Sequence, residues 1–188
     1  MATVAPDPLL TLAGQSEPDG LYEVIDGRIV EKSMGAYEYW LAGVIFGVLD
    51  RYAEAHPIGR ALIEMVFDFR PHIERERRPD VAFVPFERWA SDRRVPRARA
   101  WAVIPDLAVE IVSLTNSADE VAEKLEEYFQ VGVRQVWVVY PRQAKIYVYH
   151  STTAVQVLAP GDELEVGAVL PGFRLSVKDI FNKAGEPA

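Results

Sequence analysis

The stretch Asp106-Leu107-Ala108-Val109-Glu110-Ile111-Val112-Ser113 limits the possible folds of this chain more than any other. It is almost entirely apolar, as a central strand covered on both faces should be. A helix is predicted next, over Ala118 to Val131. Ser117 and Glu120 stand at capping-box spacing, Asp119 and Glu120 favour the positive end of the helix dipole, and Gly132 is placed to end it. Gln135 to Tyr140 then reads as another strand. Strand, helix and strand in that order predict a crossover joining two parallel strands, and so an α/β domain.

The rest of the chain fits around that unit. Residues 1–20 are rich in Pro, Asp and Gly and read as a loosely ordered lead-in to one domain over 21–188. Tyr22 to Glu31 holds two short β-runs around Asp26-Gly27, a strong hairpin signal. A helix is predicted from Tyr37 to Ala55, because Leu41, Val44, Ile45, Val48, Leu49 and Tyr52 form one apolar stripe that Pro57 and Gly59 stop. Leu62 to Phe69 and Pro79 to Val84 read as strands, with Arg70 to Arg78 as a polar loop between them. Residues 85–104 form a long excursion carrying Trp89 and Trp101, and long excursions in compact domains tend to be functional or mobile. Lys145 to His150, Ala154 to Leu158 and Glu163 to Leu170 read as antiparallel strands. A last helical turn is expected over Ser176 to Phe181.

Composition excludes several classes of function. Hydrophobic residues make up 49% and charged residues 26% of 188, which is globular and not disordered. There is no cysteine, so disulfides and cysteine zinc sites are ruled out. No apolar run approaches the length of a membrane span, and Met1 to Gly20 lacks the pattern of a signal peptide. A cytoplasmic protein is the expectation. The net charge of −8 argues against a nucleic-acid partner, yet residues 70–99 hold nine Arg against five acids. Guanidinium forks match phosphate oxygens, so this segment is a candidate nucleic-acid contact, or else a solvated loop.

Glu110 is the first chemical anomaly. An unpaired carboxylate deep in an apolar strand costs several kcal/mol, so it needs a metal ion, a Lys or an Arg. Lys124 is the second. It lies three residues after Val121 and four before Tyr128, on the flank of the helix's apolar stripe, which points its ammonium inward or along the helix edge. Asp80 is the third, at the entrance of an apolar strand. Its rival Asp106 lies about 13 Å from Glu110 along the same strand, too far to share an ion.

Pro79-Asp80, Glu110 and Lys124 together resemble the PD-(D/E)XK nuclease superfamily. More closely, the chain resembles the Uma-type restriction endonuclease family. The matching stretches are Tyr22-Glu23-Val24-Ile25-Asp26-Gly27, Arg78-Pro79-Asp80-Val81 and Pro105 to Ser113. They continue with Lys124, Tyr128, Gly132-Val133, Val136-Trp137 and Leu170-Pro171-Gly172-Phe173. Val112 stands where the superfamily pattern has Lys, and Lys124 fits the position of a lysine moved to the next helix. The resemblance implies a restriction-endonuclease-like fold: a central mixed β-sheet flanked by helices, with added β-hairpins. It also implies a hydrolase cutting DNA with Mg²⁺, or Mn²⁺ in its place. Asp80, Glu110 and the Ile111 carbonyl would bind the ion, and Lys124 would position or deprotonate the attacking water. Glu38 and Tyr128 are accessory candidates, and a homodimer is the expected assembly.

Phosphate-loop, dinucleotide-binding, zinc-protease and serine-hydrolase motifs are all missing from the sequence. Two classes of function therefore stand. One is a metal-dependent DNA endonuclease. The other is a catalytically silent module of the same fold, whose acids and lysine form a structural ion pair.

Overall fold

A computed structural model describes residues 20–32, 34–70 and 72–184. The lead-in expected over residues 1–20 therefore lies, apart from Gly20, outside the described residues. A hairpin of β1 (Tyr22–Ile25) and β2 (Arg28–Glu31) turns at Asp26-Gly27, where both residues have positive φ. Next is α1 (Ala36–Ala55), then β3 (Gly59–Ile63), β4 (Phe67–Asp68), β5 (Arg75–Arg77) and β6 (Val81–Pro85). The crossover unit comprises β7 (Leu107–Ile111), α2 (Ala118–Val131) and β8 (Gln135–Tyr140). The chain closes with β9 (Lys145–Tyr149), β10 (Val155–Leu158), β11 (Glu163–Glu165), β12 (Arg174–Ser176) and α3 (Val177–Ala184).

The main sheet has six strands in the order β10-β9-β8-β7-β6-β3. Only β7 and β8 run parallel, joined by α2 as the sequence pattern requires. One face of this sheet packs Phe83, Leu107, Val109 and Trp137 against Leu41, Ile45 and Leu49 of α1 and against α3. The other packs Ala82, Ala108, Val136 and Val138 against Leu125, Tyr128 and Val131 of α2. Because alternate side chains face opposite ways, Glu110 shares the α2 face with Ala108. The same alternation gives Asp80 the face of Ala82.

The expected strand from Leu62 to Phe69 is divided in two. Glu64 has φ 51°, which few non-glycine residues adopt and which breaks the extended run. β3 stays in the main sheet beside β6, while β4 turns away. The predicted polar loop Arg70 to Arg78 also changes, because its end forms β5. β5 pairs with β4 and β1, giving a second sheet in the order β2-β1-β5-β4. This sheet stands over the end of the main sheet at which β6 begins and β7 ends.

Trp101 is 1% exposed, stacked on Phe67 and edge-on to Trp89. The tryptophans of the excursion are therefore packing residues, and Arg93 covers Trp89 at 3.6 Å. No helix among the described residues is long and apolar enough to cross a membrane.

Local chemistry fixes several boundaries. The Ser117 side chain accepts from the Glu120 N–H and the Glu120 carboxylate from the Ser117 N–H, and Gly132 ends α2 at φ 98°. Gly59 does more than stop α1: a Cβ there would lie 2.5 Å from the Phe83 ring and 2.6 Å from the Val84 carbonyl. Ser117→Ala should cost about 1 kcal/mol of unfolding free energy. Gly59→Ala should cost more, about 1–3 kcal/mol, because the core beneath it cannot give way. Urea denaturation of both variants checks the order.

Candidate active site

The β6/β7 register builds the site. Val81 lies opposite Val109 and Ala82 opposite Ala108. One step further along, Asp80 stands opposite Glu110 on the α2 face. Directly opposed like charges destabilise a sheet unless something neutralises them. Both are buried, Asp80 at 1% and Glu110 at 8% exposure.

The neutralising groups come from three elements. From α2, Lys124 Nζ lies 3.0 Å from Glu110 Oε2 and 3.3 Å from Glu23 Oε1. One turn on, the Tyr128 hydroxyl donates to Glu110 Oε1 at 2.5 Å. From the end of β2, Lys32 Nζ lies 2.6 Å from Asp80 Oδ1 and 3.2 Å from Glu64 Oε2, and donates to the Arg78 carbonyl at 2.7 Å. From the end of β7, the Ile111 N–H donates to Asp80 Oδ2 at 2.5 Å. Asp80 Oδ1 is buried and receives no well-directed hydrogen bond, so its contact with Lys32 is one of charge alone.

Behind this group runs a ladder of ion pairs. Arg77 Nη1 meets Glu23 Oε2 at 3.0 Å and its Nε meets Glu127 Oε2 at 2.5 Å. Arg75 then joins Glu127 to Asp26 at the hairpin turn. The ladder ties the second sheet to α2 and fixes Glu23 where it can hold Lys124. With Arg77 set against Glu127, four carboxylates (Glu23, Glu64, Asp80, Glu110) face two ammonium groups. Acids outnumber the ammonium groups here, and Arg77 also stands against Glu23.

Proton affinities follow this imbalance. Burial pushes the Glu110 carboxyl up; Lys124 opposes this and Asp80 adds to it. Burial lifts Glu64 to about 7, against the pull of Lys32. Burial would also raise Glu23, but the charges of Lys124 and Arg77 outweigh it and hold that carboxyl low. Burial would lower Lys124, and Glu110 and Glu23 more than reverse it. Lys124 is thus a firmly held cation.

These groups open onto a cleft of about 280 Å³ lined by Glu23, Lys32, Asp80, Glu110, Ile111 and Lys124. Asp80, Glu110, Ile111 and Lys124 line this cleft, and Tyr128 joins them through its hydrogen bond to Glu110. Glu38 is not among the lining residues; its carboxylate folds back over Gly35 at the start of α1. Asp106 sits at the far end of β7, paired with Arg88 at 2.5 Å and Arg134 at 3.1 Å.

Arg93, Arg94 and Arg97 of the arginine-rich segment are exposed on the excursion. Arg70, Arg75, Arg77, Arg88 and Arg99 are engaged by acids, and of the nine arginines only Arg77 lines the cleft.

Glu23, Lys32 and Glu64 are site residues that the sequence patterns did not single out. Glu23 lies between Tyr22 and Val24 in a strand, the same signal that marked Glu110. Lys32, at the end of a short and mostly exposed strand, gave no such signal.

Glu64 sets a pH dependence. Its folded pKa lies above the ordinary carboxylate value, so its ionisation opposes folding as pH rises from about 4.5 towards 7. In chelator, Glu64→Gln should therefore raise the melting temperature more at pH 8 than at pH 5. An equal shift at both pH values would contradict this.

A crystal structure of a protein from Anabaena variabilis, described as a putative nuclease belonging to DUF820, superposes with a TM-score of 0.77. It is 22% identical, and the match covers 92% of this chain and 96% of that one, so the two share a fold. No curated protein matches. The family model of Uma2, described as a putative restriction endonuclease, matches residues 6–178. That span covers nearly the whole sequence, and the chain belongs to the Uma2 family.

Proposed function

We propose that the chain is a divalent-metal-dependent endonuclease that hydrolyses DNA phosphodiester bonds in the Glu23–Asp80–Glu110–Lys124 cleft. The observation that carries this reading is the pair of carboxylates set opposite one another at the end of a sheet, with a half-buried lysine beside them. The donor set suits a hard cation: all its ligating atoms are oxygens, its acids outnumber its lysines, and Asp80 Oδ1 is buried without a hydrogen bond. Among the described residues no three acids or histidines form a ready cage. Mg²⁺ is commonly held by only one or two carboxylates, with waters and substrate phosphate oxygens completing its shell, so Asp80 and Glu110 would be enough.

Asp80, Glu110 and the Ile111 carbonyl are the proposed ligands, and Mn²⁺ is the proposed substitute. A bound ion would polarise the phosphoryl oxygens and acidify a water. Everything else falls to the chain. The Ile111 N–H and the Tyr128 hydroxyl orient the two carboxylates. Glu23 and Glu110 hold the Lys124 ammonium at the mouth of the cleft, where it can meet the negative charge that develops on phosphorus oxygens. From there Lys124 can position the attacking water and stabilise developing charge.

A homodimer would let two such clefts cut both strands. Its support is the sheet edge at β10, where Val155 and Val157 are exposed. The second reading, a silent module, has one observation in its favour: both cleft lysines already neutralise the two opposed acids.

The test is cleavage of plasmid and oligonucleotide DNA with Mg²⁺ or Mn²⁺. Asp80→Asn, Glu110→Ala and Lys124→Ala should each lower the rate by about 10²-fold or more. Activity that survives all three substitutions would contradict the mechanism.

A further inference from the structure

Lys32 is the cleft residue that the proposed chemistry leaves unused. Its backbone N–H is fixed by the Leu21 carbonyl at 2.8 Å, where β2 ends. Its side chain is 11% exposed, and its Nζ meets three oxygens: Asp80 Oδ1 at 2.6 Å, Arg78 O at 2.7 Å and Glu64 Oε2 at 3.2 Å. Carboxylate and carbonyl oxygens are also what a hard divalent ion binds. Asp80 Oδ2 accepts from the Ile111 N–H, whereas Oδ1 receives no directed hydrogen bond and has the Lys32 ammonium against it.

Resting on the reading of Asp80 and Glu110 as metal ligands, we propose that Lys32 is a tethered counter-ion. It occupies the cation position on Asp80 in the metal-free protein and is displaced into the cleft when a divalent ion binds. Without it, Asp80 would lie buried beside Glu110 with its outer oxygen uncompensated. A divalent ion supplies twice the charge to the same oxygen. The ammonium is carried on a flexible four-carbon stem, and the cleft wall beside it is made by Val30, Glu31 and Met34. The cleft of about 280 Å³ that Lys32 lines gives this stem room to swing outward. Lys124 differs in being shared between Glu110 and Glu23 and based on a helix that the ion-pair ladder holds. It stays in place when the ion enters.

Two measurements on the full chain test the displacement. In the first, amine acetylation is read by mass spectrometry with and without Mn²⁺, using exposed Lys178 as the internal standard. Lys32 should become several-fold more reactive on Mn²⁺ saturation, while Lys124 should not. In the second, calorimetric titration should show Lys32→Met binding Mn²⁺ about tenfold more tightly or better, as expected when a close competing charge is removed. Lys32→Arg, which keeps the charge, should show no such gain.

If Mn²⁺ binds while Lys32 reactivity stays flat, the displacement is wrong and the metal site stands. The displacement is equally wrong if Lys32→Met binds Mn²⁺ no more tightly than the unaltered chain. If no form of the protein binds Mn²⁺, both this inference and the metal-dependent reading fail. The acetylation arm uses the unaltered chain, so it decides the matter even if Lys32→Met does not fold.

Discussion

Two carboxylates forced into opposition account for most of what surrounds them. The β6/β7 register leaves Asp80 and Glu110 no separate surroundings: they face one another across a strand pair on the buried side of the sheet. Cross-strand neighbours stand about 5 Å apart. At an effective dielectric of about 20, two like charges at that distance repel by about 3 kcal/mol, a sizeable share of a domain's stability. Nothing in the main sheet can neutralise them, because their strand neighbours are apolar. The cations must come from outside it, and they do: Lys124 on the crossover helix and Lys32 on the second sheet.

That need explains the position of the second sheet. β1 and β5 bring Glu23 and Arg77 to the end of the main sheet, and the ladder through Glu127 fastens them to α2. Breaking a buried ion pair leaves an uncompensated charge and costs far more than the pair contributes by forming. The ladder is therefore better understood as a device for placing Glu23, and through it Lys124, than as a source of stability. The arginines that looked like a phosphate-binding segment mostly belong to this internal scaffold or to the excursion packed beside it.

Much of the site was legible in the sequence because burial and charge conflict visibly along a single strand. Glu110 among Leu107, Val109 and Ile111 could be read without a partner, and Lys124, on the flank of an apolar stripe, only with Glu110 as its partner. Asp80 emerged by distance, once Asp106 was seen to lie too far along the same strand. Lys32 could not be read, because its burial depends on a second sheet that forms only when β5 joins β1, across about fifty residues of chain. That sheet was hidden by a local event, the positive φ of Glu64, which breaks what reads as one strand into two in different sheets. Residue patterns report which face a side chain takes within its own element. They do not report which distant element will cover that face, and the second cation of this site comes from such an element.

In this view the opposed carboxylates exist to hold a divalent ion and are neutralised by lysines only while it is absent. A crystal of the unaltered chain soaked in Mn²⁺ and measured at the manganese absorption edge tests it most directly. An anomalous peak is expected between the Asp80 and Glu110 carboxylates, with the Lys32 ammonium moved off Asp80. A map with no peak there, and with Lys32 and Lys124 still seated on the two acids, would contradict it.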